Sequence, residues 1–417
     1  MFKTYFKQTM QMLKQNKFIS TISIIGTAIA IMMVMVIIVT DEIKTSDITP
    51  EINRSRTLYL KHQNLISVNG QNTNSSPISY VAYKNLLSDL ETPELTTAIQ
   101  FDFANFDNCM IRNVYEKGLV SGYLKQVDAN FWRIMPFSFI DGKPFTQDDF
   151  VAGLKKAVIS DKLEKKIFGN ESAIGKDIII DTKPYTVTGV VKNISRTFQY
   201  AFADIWIPYT SRPEFENRYY SLLLLAKNKK DFDLIDKEVR AREKRLEEMG
   251  DDYRVSFHGP YDQKIQLLNT WSDSPPNIKE ARRKNIIIFS ILLLIPAVNL
   301  SSISFSKLSK RVEEIGIRKT FGAKRINILT QVLLENFTTS IIGGFIGLIF
   351  SYVIIFWMKE WLLNVSADST IPLQALVSFP VIISVVIICM FINLLSTGIP
   401  AYLVSKSNIV KSINEKQ

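Results

Sequence analysis

Cysteine and histidine are almost absent from this chain, which has two of each among its 417 residues. Cys389 lies in a strongly apolar run and Cys109 lies in a polar region, so we expect no disulfide between them. His62 and His258 are far apart, and neither is surrounded by metal-ligand spacing. These shortages argue against a disulfide-stabilised fold, a zinc site or a histidine-dependent triad. We expect each histidine to be an ordinary surface or core residue.

Catalytic motifs are missing as well. The sequence contains no G-x-S-x-G, H-E-x-x-H or C-x-x-C string, so it has no nucleophile elbow, zinc-protease helix or redox pair. The carboxylate pairs Asp148-Asp149 and Glu247-Glu248 stand among other charged residues, which favours a solvated surface over general acid–base chemistry. The sequence therefore predicts a protein that is not an enzyme, with no catalytic and no metal-binding residues.

A phosphate-binding loop is also lacking. In the motif G-x-x-x-x-G-K-[ST], backbone amides cradle the phosphates and the hydroxyl holds Mg²⁺. The nearest string runs from Gly169 to Gly175 and Lys176, but it is one residue too long and Asp177 replaces the hydroxyl residue. We therefore expect this chain to bind neither ATP nor any other cofactor.

Positive charge is abundant but unevenly placed. The net charge is +10, yet residues 41–284 hold 35 Lys and Arg against 34 Asp and Glu, a net of +1. The excess lies in short segments beside apolar runs, where it orients membrane helices rather than forming a phosphate-binding surface. We expect a lipid bilayer, and no nucleic acid, as a partner.

Four long apolar runs dominate the composition. Phe18–Val39 has 22 uncharged residues, which as a helix would be about 33 Å long, enough to cross the hydrocarbon core. It lacks a clear small-residue cleavage site, which favours a retained anchor over a signal peptide. The sequence predicts an α-helical membrane protein with four transmembrane helices, at residues 18–40, 285–306, 336–358 and 373–399.

Charge asymmetry predicts the orientation of these helices. Residues 1–17 carry four lysines and no acid, with apolar residues at helical spacing, which is typical of an amphipathic helix on the cytoplasmic face. Residues 307–325 hold seven basic residues and 400–417 hold three lysines, whereas residues 359–372 have one base and two acids. We expect both termini and residues 307–335 to be cytoplasmic, with residues 41–284 and the loop 359–372 outside.

The predicted outer block, residues 41–284, has the mixed pattern of an α/β domain inserted between the first two spans. Ser79–Leu90 and Lys229–Met249 show helical periodicity. Lys176–Val191 has strand composition with a turn in its middle, and Ala203–Pro208 is typical of a further strand.

Two features of the apolar runs concern helix packing. Gly343 and Gly347 have the GxxxG spacing that lets helix backbones approach closely in lipid, either within one subunit or between two. Asn299 and Asn393 are polar residues at membrane depth with no acid or base beside them. That context favours interhelical hydrogen bonds over a substrate path.

A strongly charged segment separates the second and third runs. Residues 310–325 carry eight charged residues in sixteen positions, too short a stretch for a domain. Glu314 and Arg318 stand four apart on one helical face, and Gly322 suits the left-handed conformation that ends a helix. The pattern predicts two short helices with a break between them, at the membrane surface, where a soluble partner can dock.

The order of residues in this segment is informative. The string Arg311-Val-Glu-Glu-Ile-Gly-Ile-Arg-Lys319, followed by Gly322-Ala-Lys-Arg325, resembles the signature of FtsX-like permeases, the MacB branch of ABC transporters. The resemblance implies that this segment couples to an ATPase. The implied coupling residues are Glu314, Gly316 and Arg318 in the first helix, Gly322 and Ala323 in the turn, and Arg325 at the ATPase contact.

A second set of motifs covers the outer block. Asn130-Phe-Trp, Gly142-Lys-Pro-Phe-Thr, Ile167-Phe-Gly169 and Tyr185-Thr-Val-Thr-Gly-Val-Val191 together resemble the extracytoplasmic core domain of MacB-type permeases. The resemblance implies a porter-like α/β subdomain made from both ends of the block. It also implies a β-rich subdomain inserted at about residues 120–205, and a location in the bacterial inner membrane.

The resemblance further implies a function. The chain looks like the permease subunit of a MacB-type ABC transporter, working as a dimer with a second copy or a paralogue. Only 17 residues precede the first span, so we expect the ATPase to be a separate polypeptide. Its ATP hydrolysis would move the outer domain to export a peptide, antibiotic or lipoprotein-like substrate. An envelope protein or outer-membrane channel is a further expected partner. The alternative is a non-transporting, FtsX-like signal transmitter that regulates an envelope enzyme.

Overall fold

The computed structural model describes residues 17–67, 73–100, 107–113, 118–248, 253–268, 275–309, 317, 321, 325–363 and 378–398. The chain divides into two compact units. Residues 44–278 form what we call the α/β unit, and the helical unit contains residues up to 43, from 279 to 363 and from 372 onward.

The first described helix, α1, is Lys17–Thr45. One of its faces is buried although it carries the hydroxyl residues Ser20, Ser23 and Thr27. Thr27 Oγ1 donates to the Ser23 carbonyl at 2.8 Å, which satisfies the hydroxyl within the helix itself. Small side chains on this face leave room for another backbone to approach.

The α/β unit is built on a sheet of thirteen strands in the order β11-β8-β10-β9-β5-β6-β4-β12-β3-β2-β13, with β1 on β12 and β7 on β10. Its elements in chain order are β1 (Thr57–Leu60), β2 (His62–Ser67), β3 (Thr73–Ser79), α2 (Tyr80–Ala82, continued by a π turn to Leu87), β4 (Leu95–Gln100), β5 (Asp107–Asn113), β6 (Val120–Val127), α3 (Phe131–Ile134), β7 (Phe139–Gly142), α4 (Gln147–Val151), β8 (Lys156–Ser160), α5 (Asp161–Phe168), β9 (Asp177–Ile180), β10 (Lys183–Val191), β11 (Ile205–Pro208), β12 (Tyr219–Leu225), α6 (Phe232–Glu248), β13 (Tyr253–His258) and α7 (Gln263–Gln266).

Two separate hydrophobic cores lie along this sheet. One contains buried residues of β1, β3, β4, β12, α6 and β13, and we call these elements, with β2 and α2, the terminal subdomain. The other contains residues of β5, β6, β8–β11 and α5, and we call β5 to β11, with α3 to α5, the inserted subdomain. An α/β fold was expected for this part of the chain, and it is confirmed.

The junction between the two subdomains is narrow. Only Ile99 and Val127 are paired between β4 and β6. Beside them the Asp128 carboxylate accepts from the Thr97 hydroxyl at 2.5 Å and from the Ala98 amide at 2.8 Å. Burial raises the pKa of Asp128 to about 6. Within the sheet the subdomains are therefore joined by one residue pair and one buried carboxylate. Outside the sheet, Asn130 Nδ2 donates to the Thr96 carbonyl at 3.0 Å, and Phe150 of α4 packs against the core of the terminal subdomain.

The strand at the end of the sheet is covered by α6. The amide of Phe257 in β13 donates to Glu243 Oε1, and its carbonyl accepts from Arg240 Nη1 at 3.0 Å. Unpaired edge groups are a common site of strand addition. At Phe257 the backbone amide and carbonyl are hydrogen-bonded within the chain, because the Arg240 and Glu243 side chains project from α6, which packs on β13.

Local expectations for the α/β unit agree with the structure except at one turn. The strand pair predicted in residues 176–191 is present. Its composition predicts a turn at Thr182–Pro184, whereas the structure has the turn at Asp181 and Thr182, with φ of 48° and 86°. The Asp181 side chain accepts from the Met110 amide and from Arg212 Nη2, both at 3.1 Å. These bonds hold two residues without the freedom of glycine in the left-handed region.

The helical unit contains, besides most of α1, the helices α8 (Ile278–Ser309), α9 (Arg325–Trp357), α10 (Lys359–Leu363) and α11 (Phe379–Asn393, continued by a π turn to Gly398). Among the described residues, three stretches are long and apolar enough to cross a membrane, at Ser20–Thr45, Val332–Trp357 and Phe379–Ser396. The second of the four predicted spans falls within α8, where several side chains lie outside the described residues.

Candidate functional site

The predicted coupling residues lie mostly outside the described part of the chain. Those outside it are Glu314, Gly316, Arg318, Gly322 and Ala323. Arg325 is described through its backbone only, as the first residue of α9. The roles of all six residues therefore stay predictions.

Two apolar residues of this segment are described, and both are exposed. The Phe321 amide donates to the Ile317 carbonyl at 3.2 Å, the spacing of a helical turn. Ile317 and Phe321 therefore share one face, and their side chains are 54% and 88% exposed. Sequence reasoning concentrated on the charged residues and missed this pair. An apolar residue repeated four positions later inside a charged segment was the available signal.

The GxxxG pair packs within one chain, against α1. A methyl group on Gly347 would lie 2.5 Å from the Ala28 carbonyl oxygen, and one on Gly343 would lie 2.8 Å from Thr27 Cβ. A methyl group on Gly344, on the adjacent face of α9, would lie 2.4 Å from Cys389 Sγ of α11. This resolves the alternatives that the spacing left open, since α9 uses these glycines to hold both α1 and α11.

The polar residue predicted to join helices does so in α11. Asn393 Nδ2 donates to the Leu333 carbonyl of α9 at 2.9 Å, and Cys389 Sγ donates to the Ser340 carbonyl at 3.3 Å. The interhelical role expected for Asn393 is thus confirmed. The side chain of Asn299 lies outside the described residues.

A buried ion pair lies in the segment that follows α1. Arg54 Nε and Glu51 Oε2 are 2.7 Å apart, and the side chains of Arg54 and Glu51 are 1% and 3% exposed. The second carboxylate oxygen, Glu51 Oε1, accepts from the amides of Tyr200 and Ala201, each at 2.9 Å. Arg54 also donates to the Thr197 carbonyl at 3.3 Å. The pair binds this segment to the loop between β10 and β11.

A second polar chain adjoins this ion pair. Gln263 Nε2 donates to the Lys44 carbonyl at the end of α1, at 2.8 Å, and Gln263 Oε1 accepts from Gln266 at 3.2 Å. Gln266 Oε1 in turn accepts from Lys61 Nζ at 2.5 Å and from the Tyr200 hydroxyl at 3.2 Å. We call the residues of these two networks the base network, since they connect the first and last described elements of the α/β unit.

Lys61 gives the base network a pH dependence. Burial lowers the pKa of Lys61 to about 8, against about 10.4 for an unfolded lysine. As the pH rises, the native state therefore releases this proton at a lower pH than the unfolded state does. The free-energy cost of burying the charged lysine is at its full value below pH 8 and disappears as the pH rises towards about 10. We expect the free energy of unfolding of the α/β unit to increase over this range, and Lys61→Met to remove part of the increase.

This expectation can be measured by urea unfolding of the purified chain in detergent at a series of pH values. Tryptophan fluorescence reports on the α/β unit through Trp132 and Trp206, which are buried in it. Lys237→Met is a matched control because Lys237 is exposed, and it should keep the wild-type pH slope. The same slope in Lys61→Met and in the wild type would contradict the role given to Lys61.

The string closest to a phosphate loop serves a structural purpose. Lys176 Nζ pairs with Glu171 Oε2 at 2.6 Å and lies over the Phe168 ring. The Gly175 amide donates to the Val187 carbonyl at 2.9 Å, so it is committed to the sheet. The lysine and this amide thus each have a partner within the fold.

The two histidines are brought together by strand pairing. His62 of β2 lies directly opposite His258 of β13, and both side chains are buried. In the part of the chain that the structure describes, no group of three or more His, Cys, Asp or Glu could hold a metal ion. Of the surface and core placements expected for these histidines, the core placement is found.

Comparison with known proteins matches both units to families. Residues 20–242 match the model described as the MacB-like periplasmic core domain. Residues 286–409 match the model described as the FtsX-like permease C-terminal. The first match covers most of α1 and the α/β unit as far as residue 242, and the second begins eight residues after the start of α8 at Ile278.

Individual relatives have low sequence identity to this chain, but they align with it over long stretches. The ABC transporter permease YknZ of Bacillus subtilis is 26% identical over 230 residues, 54% of this chain and 55% of that protein. The macrolide export ATP-binding/permease protein MacB of Aggregatibacter actinomycetemcomitans is 26% identical over 270 residues, 64% of this chain and 40% of that protein. The pyoverdine export ATP-binding/permease protein PvdT of Pseudomonas aeruginosa is 24% identical over 340 residues, 80% of this chain and 48% of that protein. The chain thus spans about half the length of the curated relatives it matches.

Proposed function

Because the chain belongs to the family of ABC transporter permeases with a MacB-like periplasmic core domain and an FtsX-like permease domain, we propose that it is the membrane subunit of a MacB-type exporter. The family implies an ATPase partner. In the proposal this partner is a separate cytoplasmic polypeptide. Its ATP hydrolysis moves the extracytoplasmic domain, and the permease chain performs no catalysis.

The proposed substrate is a peptide, an antibiotic or a lipoprotein-like molecule. Two relatives are named for export, one of macrolides and one of pyoverdine, which supports transport over signal transmission. Transport and transmission differ in an observable way. Deletion of a transporter changes the release of a small molecule or peptide from cells, whereas a transmitter binds a stable envelope protein and its deletion leaves release unchanged.

The proposed topology has four spans in the bacterial inner membrane, both termini cytoplasmic and residues 41–284 outside. Three apolar helices and the periplasmic-domain match support it. The charge asymmetry of residues 1–17 and 307–325 supports the orientation. In this arrangement α8 is the second span, and the proposed domain boundaries are those predicted from the sequence.

We further propose a dimer, with a second copy or a paralogue. Ile286, Ile287 and Ile288 of α8 are consecutive, so their side chains point in three directions, and they are 59%, 50% and 47% exposed. A partner helix covering one of these faces would explain why the described start of this apolar run packs so little against its own chain. The glycine-mediated packing, by contrast, joins α1, α9 and α11 inside one chain.

The observation that carries the coupling proposal is the exposed apolar pair between α8 and α9. Ile317 and Phe321 present one face beside charged residues, and an aromatic residue of this kind is a typical hot spot of a protein interface. The predicted coupling residues surround this pair in the sequence. In the proposal Glu314, Gly316 and Arg318 shape the helix that carries the pair, Gly322 and Ala323 make the turn, and Arg325 contacts the ATPase.

Phe321→Ala is expected to weaken binding of the ATPase at least about tenfold, since burial of an aromatic anchor contributes on the order of 2 kcal/mol. Binding is measured in nanodiscs, after the ATPase has been identified by affinity purification in mild detergent. Phe356→Ala is the matched control, because Phe356 is a 65% exposed phenylalanine near the opposite end of α9. Equal affinities for both variants, or purification of the chain without any ATPase, would refute the coupling proposal.

A further inference from the structure

Positive charge in the predicted outer block is concentrated at the end of the block. Residues 279–284, which we call the basic segment, hold four bases and one acid, whereas residues 41–278 hold 31 bases and 33 acids. The basic segment therefore has a net charge of +3 and the rest of the block a net charge of −2. Bases beside a membrane helix favour the cytoplasmic side. Orientation of the helix therefore does not explain these bases, because in the proposed topology they lie outside.

The bases of this segment are exposed on the surface of α8. Lys284 forms an ion pair with Glu280 at 3.0 Å, so the acid of the segment is matched by one of its bases. The three further bases, all exposed, are Lys279, Arg282 and Arg283. Lys279 and Arg283 stand four residues apart, a spacing at which like charges on a helix repel each other. An anionic ligand at this surface would relieve the repulsion.

Arg283 begins an exposed face of α8 that becomes apolar. The residues that follow it at helical spacing, each at least 50% exposed, are Ile287, Ile291, Leu294 and Val298. Because a helix rises about 1.5 Å per residue, Ile287 lies about 6 Å along the axis from Arg283. Lipid chains in contact with this apolar face would place their headgroups at the bases, and Lys and Arg side chains extend readily into a headgroup layer.

A second marker of the membrane surface lies at the end of α9. The apolar stretch Val332–Trp357 ends at Trp357, which is 85% exposed, and Trp361 of α10 is 75% exposed. Exposed tryptophans at the end of a span are typical of the interface between hydrocarbon and headgroups. In the proposed topology the end of α9 and the basic segment of α8 lie on the same side of the membrane, so both features indicate its outer surface.

We infer that Lys279, Arg282 and Arg283 bind the phosphate groups of anionic phospholipids in the outer leaflet of the membrane. Charge complementarity supports a phosphate, and the apolar face that adjoins the bases supports a phosphate attached to acyl chains. A guanidinium can bind two phosphate oxygens at once, so the two arginines are the main contacts. The inference rests on the proposed topology for the choice of leaflet, but it does not require that the chain exports a substrate.

The test compares two lipids at a fluorescent label beside the bases. The label is a bimane on Asn285→Cys, an exposed position directly after the basic segment, and the native cysteines are buried. The labelled full chain is placed in phosphatidylcholine nanodiscs that contain a small share of either of two nitroxide quenchers. One quencher is phosphatidylglycerol with a nitroxide near its headgroup, and the other is phosphatidylcholine with the same nitroxide. The ratio of the two quenching efficiencies gives the preference of the site for the anionic lipid.

Two triple variants separate the basic segment from the overall charge of the chain. The test variant is Lys279→Gln/Arg282→Gln/Arg283→Gln. The matched control, which removes the same charge from three exposed lysines of the α/β unit, is Lys227→Gln/Lys229→Gln/Lys230→Gln. We expect the wild type and the control to prefer phosphatidylglycerol, and the preference of the test variant to be at least about fivefold lower, the contribution of one base beside an anionic surface. Unchanged quenching by phosphatidylcholine shows that α8 is inserted to the same depth.

A measurement without any substitution tests the same charges. A higher salt concentration should lower the preference of the wild type, because salt screens exposed charges. A preference that salt leaves unchanged would overturn the inference, as would equal quenching by the two lipids in the wild type or an undiminished preference in the test variant. Absence of quenching by both lipids would also overturn it, since a protein surface would then cover the basic segment.

The proposed topology is judged separately. Asn285→Cys should react with a membrane-impermeant maleimide added to intact cells, because the proposal places this residue at the outer surface. Absence of this reaction would refute the topology and the assignment to the outer leaflet, whereas the lipid preference measured in nanodiscs does not depend on the side.

Discussion

Replacing Arg54 with methionine is expected to lower the free energy of unfolding of the α/β unit by about 3 to 5 kcal/mol, the usual result of leaving one member of a buried ion pair alone. Glu51 would keep its bonds from the Tyr200 and Ala201 amides, but its charge would be buried without a counter-ion. Methionine has a similar length to the arginine stem, so little of the loss would come from a cavity. Urea unfolding followed by tryptophan fluorescence measures the change.

Two further variants separate the buried charge from other effects of the substitution. Arg218→Met removes an arginine whose ion pair is exposed, at 57% and 69% for the two partners, and should cost no more than about 1 kcal/mol. The double variant Glu51→Gln/Arg54→Met should recover part of the stability lost in Arg54→Met, since no lone charge remains. If Arg54→Met and Arg218→Met were equally stable, the ion pair would have no special role in holding the base network together.

Alanine at Gly347 is expected to separate α9 from α1. In the interior of a helix this exchange normally stabilises by up to about 1 kcal/mol, because alanine has the higher helix propensity. Here the new methyl group would lie 2.5 Å from the Ala28 carbonyl oxygen, and overpacking of this kind costs about 1 to 3 kcal/mol. The effect should therefore have the opposite sign to the propensity, with a lower thermal stability of the chain in detergent.

Cys389 supplies a direct readout of this separation. Its side chain is buried against Gly344, and in a Cys109→Ser background it is the remaining cysteine. Gly347→Ala should accelerate labelling of Cys389 by a membrane-permeant maleimide, because α1 also contributes Ile31 to the cover over Gly344. Gly398→Ala is the control, since no atom lies within 4 Å of the added methyl group. Equal labelling rates in the two variants would show that α1 and α9 are not held by close contact at Gly347.

The proposals differ in how much they owe to the sequence. The coupling role of Glu314, Gly316 and Arg318 depends on the ordered motif alone, because these residues lie outside the described structure. Phe321 was identified as a coupling residue only from the exposure of its side chain in the structure. The base network was not foreseen, since Glu51 and Arg54, Tyr200, and Gln266 stand in three unremarkable stretches of sequence. No local pattern marks a residue whose partner is about 150 positions away along the chain.

What the sequence determined by itself is local or compositional. Apolar length indicated membrane helices, because the cost of placing charge in lipid acts on every residue independently. The charge asymmetry of the short loops predicts their orientation, which stays a prediction. Hydrophobic periodicity predicted α6 and the strands β9 and β10, because the pattern of one helix or strand is visible in its own sequence without knowledge of its neighbours.

The tertiary structure alone decided which elements meet. The GxxxG spacing allowed two packing partners, and only the folded chain selected α1. Strand order placed His62 opposite His258, and the fold joined Glu51 to the loop before β11. These contacts depend on long-range closure of the chain, in which many residues contribute at once and no single one carries a recognisable mark.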